Sequence, residues 1–350
     1  MSYLGPAHFM LRIEITWDRK EGTVTLNQCQ YIADMLDWYG MSDCHTCPTP
    51  MNPKSELTTE QSPQSDTKHT EVKSIPYQNV TGSLLYAAMA TRPDIAFAVR
   101  VLCQFNSNYG TTHWTAAKWV MCYLKGTTDL SIIYHQDAEK SLEGTLSGIY
   151  DLEEIEGFTD ADWAGDIETQ KSTSGYIFTL TGGPVSWSSK AQTTPALSSM
   201  EAKYVSTTHA AQEAIYLCTL LSDIGFPPSS PTKLWCDNQS AISLTKSPIA
   251  HSWLKHIDIQ HHFIWSTISE GHIKVKWIPT TDQVADILTK PLPWMTLNRL
   301  VSKLGMIPGL QGGVERMQPG AILVHNLAIT KHNTSALLLA TEVCSPFCYT

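Results

Sequence analysis

Two aspartates, Asp160 and Asp162, lie within a segment that otherwise reads as a β-strand, GFTDADWAGD over 157–166. Side chains in a strand return to the same face every second residue, so both carboxylates project on one side. Like charges held that close repel, and a divalent cation is the ordinary reason to place them there, because its charge offsets the repulsion. Three more acids fall at element ends downstream. Glu201 follows two candidate N-cap residues, Ser198 and Ser199, and shares a helical stripe with Tyr204, Ala211, Ile215, Cys218 and Leu221. That phase aims its carboxylate at whatever the helix packs on. Asp237 ends the strand-like run Lys233-Leu234-Trp235-Cys236 and opens a helix through Ala241, Ile242 and Leu244, a position that a simple N-cap would also take. Asp286 falls in the first turn of a helix beginning near Gln283, where the helix dipole favours negative charge. Carboxylate oxygens suit Mg²⁺ and equally Mn²⁺, and two such ions about 3.5–4 Å apart are a common apparatus for phosphodiester cleavage.

The elements that must position these acids run strand, hairpin (174–180 and 185–189), helix, strand, helix, helix, strand, helix. That order predicts an α/β unit with a mixed central sheet flanked by helices. Upstream, 11–15 and 23–26 read as strands around a turn at Arg19-Lys20-Glu21-Gly22. A helix with Tyr31, Ile32, Met35, Leu36 and Tyr39 at helical spacing follows and stops at Gly40. Residues 48–76 are rich in Pro, Ser, Thr, Gln and Lys and read as a linker or an extended surface crossing. Three helices are expected over 77–134, the second starting at Pro93, before a short strand at 130–134.

The composition is that of an ordinary globular protein, 42% hydrophobic and 16% charged over 350 residues. A formal charge of −9 excludes a generally basic nucleic-acid coat but not a local contact with nucleic acid. Nine cysteines without a secretory h-region point to a reducing compartment. Cys44-His45-Thr46-Cys47 has CxxC spacing, yet no second CxxC completes a zinc site, although Cys344 and Cys348 lie near the far end. The histidines His251, His256, His261 and His262 likewise lack a cysteine or acidic partner at zinc spacing. No apolar run approaches the roughly 20 residues of a membrane span.

In order along the chain, GFTDADWAGD, KSTSGYIF, SWSSKAQ, LSSMEAKY, LWCDNQSAI, KHIDIQHHF and DQVADILTKPL resemble the ribonuclease H domain that ends the Pol polyprotein of copia-type LTR retrotransposons. Upstream, MSYLGPAHFMLRIEI, QYIADMLDWYGM and TPMN resemble the last part of the reverse transcriptase, and YQNVTGSLLYAAMATRPDIAFAV and HWTAAKWVMCYLKGT its thumb and connection region. The resemblance implies a reverse-transcriptase palm remnant at 1–50, a linker at 51–76, a helical thumb and connection at 77–135, a ribonuclease H-like domain at 150–292 and an extension of no assigned function at 293–350. It makes Asp160, Glu201, Asp237 and Asp286 the catalytic, metal-binding D-E-D-D set, with two Mg²⁺ ions (or Mn²⁺), and only the resemblance prefers Asp160 to Asp162. The implied substrate is an RNA–DNA hybrid, with Lys190, Gln192, Asn238 and Lys255 as contacts to nucleic acid. A further implied partner is the missing part of the reverse transcriptase. No membrane is implied, and the setting is intracellular, in a cytoplasmic virus-like particle or the nucleus. The polymerase's paired aspartates are absent, since the chain has no Asp-Asp dipeptide.

This chain departs from the family pattern at two places. The family usually carries a second acid in the segment read here as Glu201-Ala202-Lys203-Tyr204, where this chain has Lys203. It also commonly has a basic or polar stretch where this chain has Ser252-Trp253-Leu254. No histidine lies between 278 and 285, where some ribonucleases H use one for product release; His272 is the nearest upstream. Two readings of function follow: a metal-dependent endonuclease cutting the RNA strand of a hybrid, or an inactive, truncated or co-opted fragment that binds nucleic acid or protein. An integrase-type strand-transfer enzyme would order its acids D-D-E, against D-E-D-D here.

Overall fold

A computed structural model describes residues 6–136, 154–246 and 258–309. Strands β1 (Phe9–Met10), β2 (Ile13–Asp18), β3 (Thr23–Asn27) and β4 (Leu130–His135) form an antiparallel sheet in that order. Alternation sets which side is buried: Ile15, Val24 and Leu26 face the core. Helix α1 (Cys29–Trp38) buries Tyr31, Ile32, Met35 and Leu36, the stripe expected from the sequence.

Residues 48–76, expected as a linker or an extended surface crossing, carry a 3₁₀ turn at Thr59–Gln61 and helix α2 (Asp66–Val72). Thr49, Met51 and Ser62 are buried. Ser62 Oγ donates to Asn108 O at 2.6 Å, and Trp119 Nε1 donates to Thr49 O at 2.8 Å. Polar composition here reflects side chains that bond to backbone rather than a solvated tether.

Helices α3 (Tyr77–Ala90), α4 (Ala96–Cys103) and α5 (Thr111–Gly126) pack over the first sheet. Pro93 is the first residue of a 3₁₀ turn between α3 and α4, a position where its missing N–H costs nothing. Around it lies a fully buried ion pair. Arg92 Nε and Nη2 grip the two Asp94 oxygens at 2.9 and 2.7 Å, Tyr123 OH donates to Asp94 at 2.8 Å, and Arg92 Nη1 donates to Thr127 O at 2.9 Å. The CxxC thiols sit near Cys122 of α5, where Cys47 N donates to Cys122 O at 3.3 Å. Burial pushes the Cys44 thiol up to about 11, so it is an inert thiol at neutral pH.

The second sheet is mixed, as expected. Strands β5 (Glu156–Asp162), β6 (Thr173–Leu180), β7 (Gly183–Ala191), β8 (Thr232–Cys236) and β9 (Ile273–Trp277) are ordered β7-β6-β5-β8-β9. The hairpin side is antiparallel, and β5-β8-β9 is parallel. The parallel crossovers carry helices α6 (Ser199–Asp223), α7 (Gln239–Thr245) and α8 (Asp258–Ser269). Tyr204, Ala211, Ala214, Leu217 and Leu221 of α6 and Ile264 of α8 close a core on one face. Phe158, Ile177, Ile287 and Leu288 instead join the core of the first sheet, so one hydrophobic cluster runs between the sheets. Trp187 Nε1 donates to Ala88 O at 2.8 Å and belongs to that junction.

Within 293–350, to which the sequence assigned no function, the described part is structural. Helix α9 (Trp294–Lys303) buries Leu297, Leu300 and Val301, and β10 (Met306–Pro308) pairs antiparallel with β4 as the fifth strand of the first sheet. Among the described residues no helix is long and apolar enough to cross a membrane.

Removing one partner of a buried ion pair strands the other charge, which costs about 3–5 kcal/mol. Asp94→Ala is therefore expected to lower stability by about that amount, read from the urea midpoint with the slope unchanged; a loss under about 1 kcal/mol would show that Arg92 finds another partner.

Candidate active site

Asp160 lies near the carboxyl end of β5, 1% exposed. Two contacts bring the downstream segments to it. Opposite it on β6 stands Gly175, where a Cβ would come within 2.7 Å of Thr289 Cγ2 and 2.9 Å of Leu288 Cβ. Glycine there lets the 3₁₀ turn Val284–Leu288 lie against the sheet. Buried Gln283 fastens that turn, its Nε2 donating to Thr159 O at 3.0 Å and its side chain capping Ala285 N. As a result Thr289 Oγ1 donates to Asp160 Oδ2 at 2.6 Å, and Asp286 lies alongside, 6% exposed.

From the other side comes α6. Ser206 Oγ donates to the Asp160 carbonyl at 2.6 Å and fixes which face of the helix meets β5. Lys203, one turn earlier, shares that face. Its Nζ donates to Asp160 Oδ1 at 2.7 Å and also to Asp237 Oδ1. Asp237 follows β8, and its other oxygen accepts from Thr280 Oγ1 at 3.0 Å. A second ammonium, Lys290 Nζ, is 3.0 Å from Asp286 Oδ2 and 3.7 Å from Asp160 Oδ2. Three aspartates and two lysines thus form one cluster.

Glu201 departs from its expected place. It is buried, as its stripe predicts, but its Oε2 accepts from Leu197 N at 3.0 Å while its own N–H donates to Ser198 Oγ at 3.2 Å. It serves the helix start. Residues two apart on a helix do not face each other, so Glu201 and Lys203 leave α6 in different directions. Asp162 stays out of the lysine bridges, and burial pushes its carboxyl up.

The expected nucleic-acid contacts fare differently from one another. Lys190 is exposed on β7. Gln192 is 4% exposed and spends its amide on Ser174 Oγ at 2.9 Å and Ala202 O at 2.8 Å, so no substrate reaches it. Asn238 caps α7, accepting from Ala241 N at 2.9 Å. Lys255 lies outside the described residues, as do His251 and His256.

The electrostatics follow from this arrangement. Burial alone would push the Asp160 carboxyl up, but Lys203 and Lys290 outweigh it and hold it below the usual range. Burial, and then the adjacent Asp160 charge, push Asp286 up to about 7. Asp286 Oδ1 is buried with no donor in reach, and a proton held on Asp286 would satisfy it. Burial works against the Lys203 ammonium, yet Asp160 and Asp237 raise its pKa above that of an ordinary lysine. The aspartate charge is therefore balanced from within.

A pair of divalent ions does not fit the residues as they stand. Among the described residues, no group of three His, Cys, Asp or Glu is placed to hold a metal ion. Lys203 Nζ occupies the space between Asp160 Oδ1 and Asp237 Oδ1.

No family model matches the chain. It is 37% identical over 293 residues to the retrovirus-related Pol polyprotein from transposon TNT 1-94 of Nicotiana tabacum, over 84% of this chain and 21% of that one. It is 36% identical over 312 residues to the corresponding polyprotein from transposon RE2 of Arabidopsis thaliana, over 89% and 20%. Among solved structures, LC11-RNase H1 isolated from compost is 16% identical and aligns with 39% of this chain and 93% of its own, with a TM-score of 0.31. The chain spans about a fifth of the length of these polyproteins.

An unfolded aspartate loses its proton near the usual carboxylate value, whereas folded Asp286 holds its proton up to about 7. Between those values the folded state binds more protons, so this residue's contribution to stability falls as pH rises and levels off above about 7. Asp160 has the opposite sign, its contribution being lost as pH falls. Asp286→Asn is expected to gain stability relative to wild type between pH 4 and pH 7, read by urea unfolding in EDTA; a pH-independent difference would place Asp286 in the ordinary carboxylate range.

Proposed function

This chain belongs to the copia-type retrovirus-related Pol polyproteins of LTR retrotransposons, and from that premise we propose that its ribonuclease H-like unit engages RNA–DNA hybrids without cutting them. The observation that carries this reading is the Lys203 ammonium bridging Asp160 and Asp237. Hydrolysis of a phosphodiester needs positive charge on the attacking and leaving oxygens, and here the carboxylates that would hold it are already paired. Binding asks for less. A hybrid duplex is recognised through its shape, its 2′-hydroxyls and its phosphates, and exposed Lys190 and partly exposed Lys290 offer charge for the last of these.

A second reading, the metal-dependent endonuclease, draws support from the retained Asp160, Asp237 and Asp286, brought together by β5, β8 and the 284–288 turn. In that reading Mg²⁺ or Mn²⁺ would displace the lysine.

Fluorescence anisotropy with labelled RNA–DNA hybrid, duplex DNA and single-stranded RNA separates the readings when paired with a gel of the RNA strand in Mg²⁺ or Mn²⁺. Salt-sensitive binding of hybrid with the RNA left intact is expected. Cleavage that disappears in Asp237→Asn would replace this reading with the endonuclease, and absence of hybrid binding by the folded chain would sink both.

A further inference from the structure

The bridging lysine has a consequence for the acids beneath it. We infer that Lys203 acts as a tethered cation in the place of a divalent ion, and that position 203, not 201, is the point from which α6 enters the cluster. The acids under it remain competent to bind metal, and one side chain excludes the ion. This rests on the binding-only reading above and gives its cause.

Four observations converge. First, Lys203 Nζ contacts both Asp160 Oδ1, at 2.7 Å, and Asp237 Oδ1, so one cationic centre links an oxygen on β5 with one just after β8. A bridging divalent ion would make the same link. Second, the lysine side chain is only 14% exposed, while those of Asp160 and Asp237 are 0% and 7% exposed. A buried ammonium between two buried carboxylates is held by both and is not readily displaced by a hydrated ion. Third, Lys290 stands 3.0 Å from Asp286 and 3.7 Å from Asp160, so the third aspartate has its own counter-charge. Fourth, Glu201 bonds Leu197 N, and its place on the helix keeps it from acting for residue 203.

Side-chain length then predicts what a carboxylate at 203 would do. Glutamate ends one bond short of the lysine nitrogen. It would leave between its oxygen and the two aspartates a gap of the size a divalent ion takes with oxygen ligands, about 2.0–2.6 Å from each. The same substitution replaces a positive charge by a negative one, which turns a balanced cluster into an anionic one. A neutral Lys203→Met change removes the ammonium and matches glutamate in length, so it unblocks the aspartates without adding a ligand.

The test is Mn²⁺ binding to the full chain, without nucleic acid, followed by the EPR signal of unbound Mn²⁺ and by the Mn²⁺-induced shift in Tm. Wild type is expected to leave the EPR signal unchanged and its Tm unmoved. Lys203→Glu is expected to bind at least about tenfold more tightly than wild type and to melt higher with Mn²⁺ than without. Lys203→Met is expected to fall between the two. Asp237→Asn in the Lys203→Glu background should abolish the gain. Wild type binding Mn²⁺ as tightly as Lys203→Glu would overturn the inference, because the lysine would then exclude nothing. Folded Lys203→Glu and Lys203→Met chains that both ignore Mn²⁺ would overturn it too, since the acids would not be metal-competent. Near-UV circular dichroism reports folding, and if Lys203→Glu does not fold the Met variant and the wild type decide. Hybrid affinity is measured separately, so failure of the binding proposal and failure of this one give different results.

Discussion

A carboxylate taken out of water must be neutralised where it stands, and the second sheet is built around meeting that requirement for Asp160. At 1% exposure it has no solvent to rely on. Thr289, Lys203 and Lys290 converge on its two oxygens from two different segments, and each of those segments is held by its own polar contacts, Ser206 on one side and Gln283 on the other. The helix phase of α6, the glycine at 175 and the close approach of the 284–288 turn all serve this one charge. One helical position, Lys203, carries that neutralisation across from Asp160 to Asp237.

That dependence also links the two sheets. The turn that delivers Thr289 and Lys290 packs through Ile287 and Leu288 into the core shared with the first sheet, and α9 continues from it. The acid cluster therefore takes its geometry from a hydrophobic junction as well as from its own hydrogen bonds. Packing there is rigid enough that a displacement of the turn would be felt at Asp160.

Much of this was legible in the chain. The alternation around Asp160, the hairpin after it and the length of α6 follow from period-two and period-3.6 patterns. The motifs themselves place the chain among Pol polyproteins. Glu201 shows where such reading ends: periodicity says that a residue is buried but not against which neighbour, and its carboxylate accepts from Leu197 N at the helix start. Lys203 was visible only as a break in a family pattern, because an unmatched positive charge in a sequence carries no sign of what it will bridge. Gln192 misleads in the other direction. A polar side chain beside a basic one suggests a surface, yet its amide fills a buried gap between β6 and α6. The strand β10 is three residues long, too short for any alternation to register.

That short strand bears on how the protein is made. The first sheet closes with β10, which leaves the ribosome after every element of the second sheet, so β4 carries an unpaired edge while the second sheet is made. Exposed strand edges recruit other strands, and a nascent chain is where such recruitment does most harm. During those seconds, shelter for β4 falls to its contact with the β6–β7 hairpin, where Tyr134 reaches Pro184 at 2.7 Å and Gly183 packs against the Tyr134 ring. The order of translation thus gives this hairpin a temporary task, guarding its neighbour's border until β10 arrives.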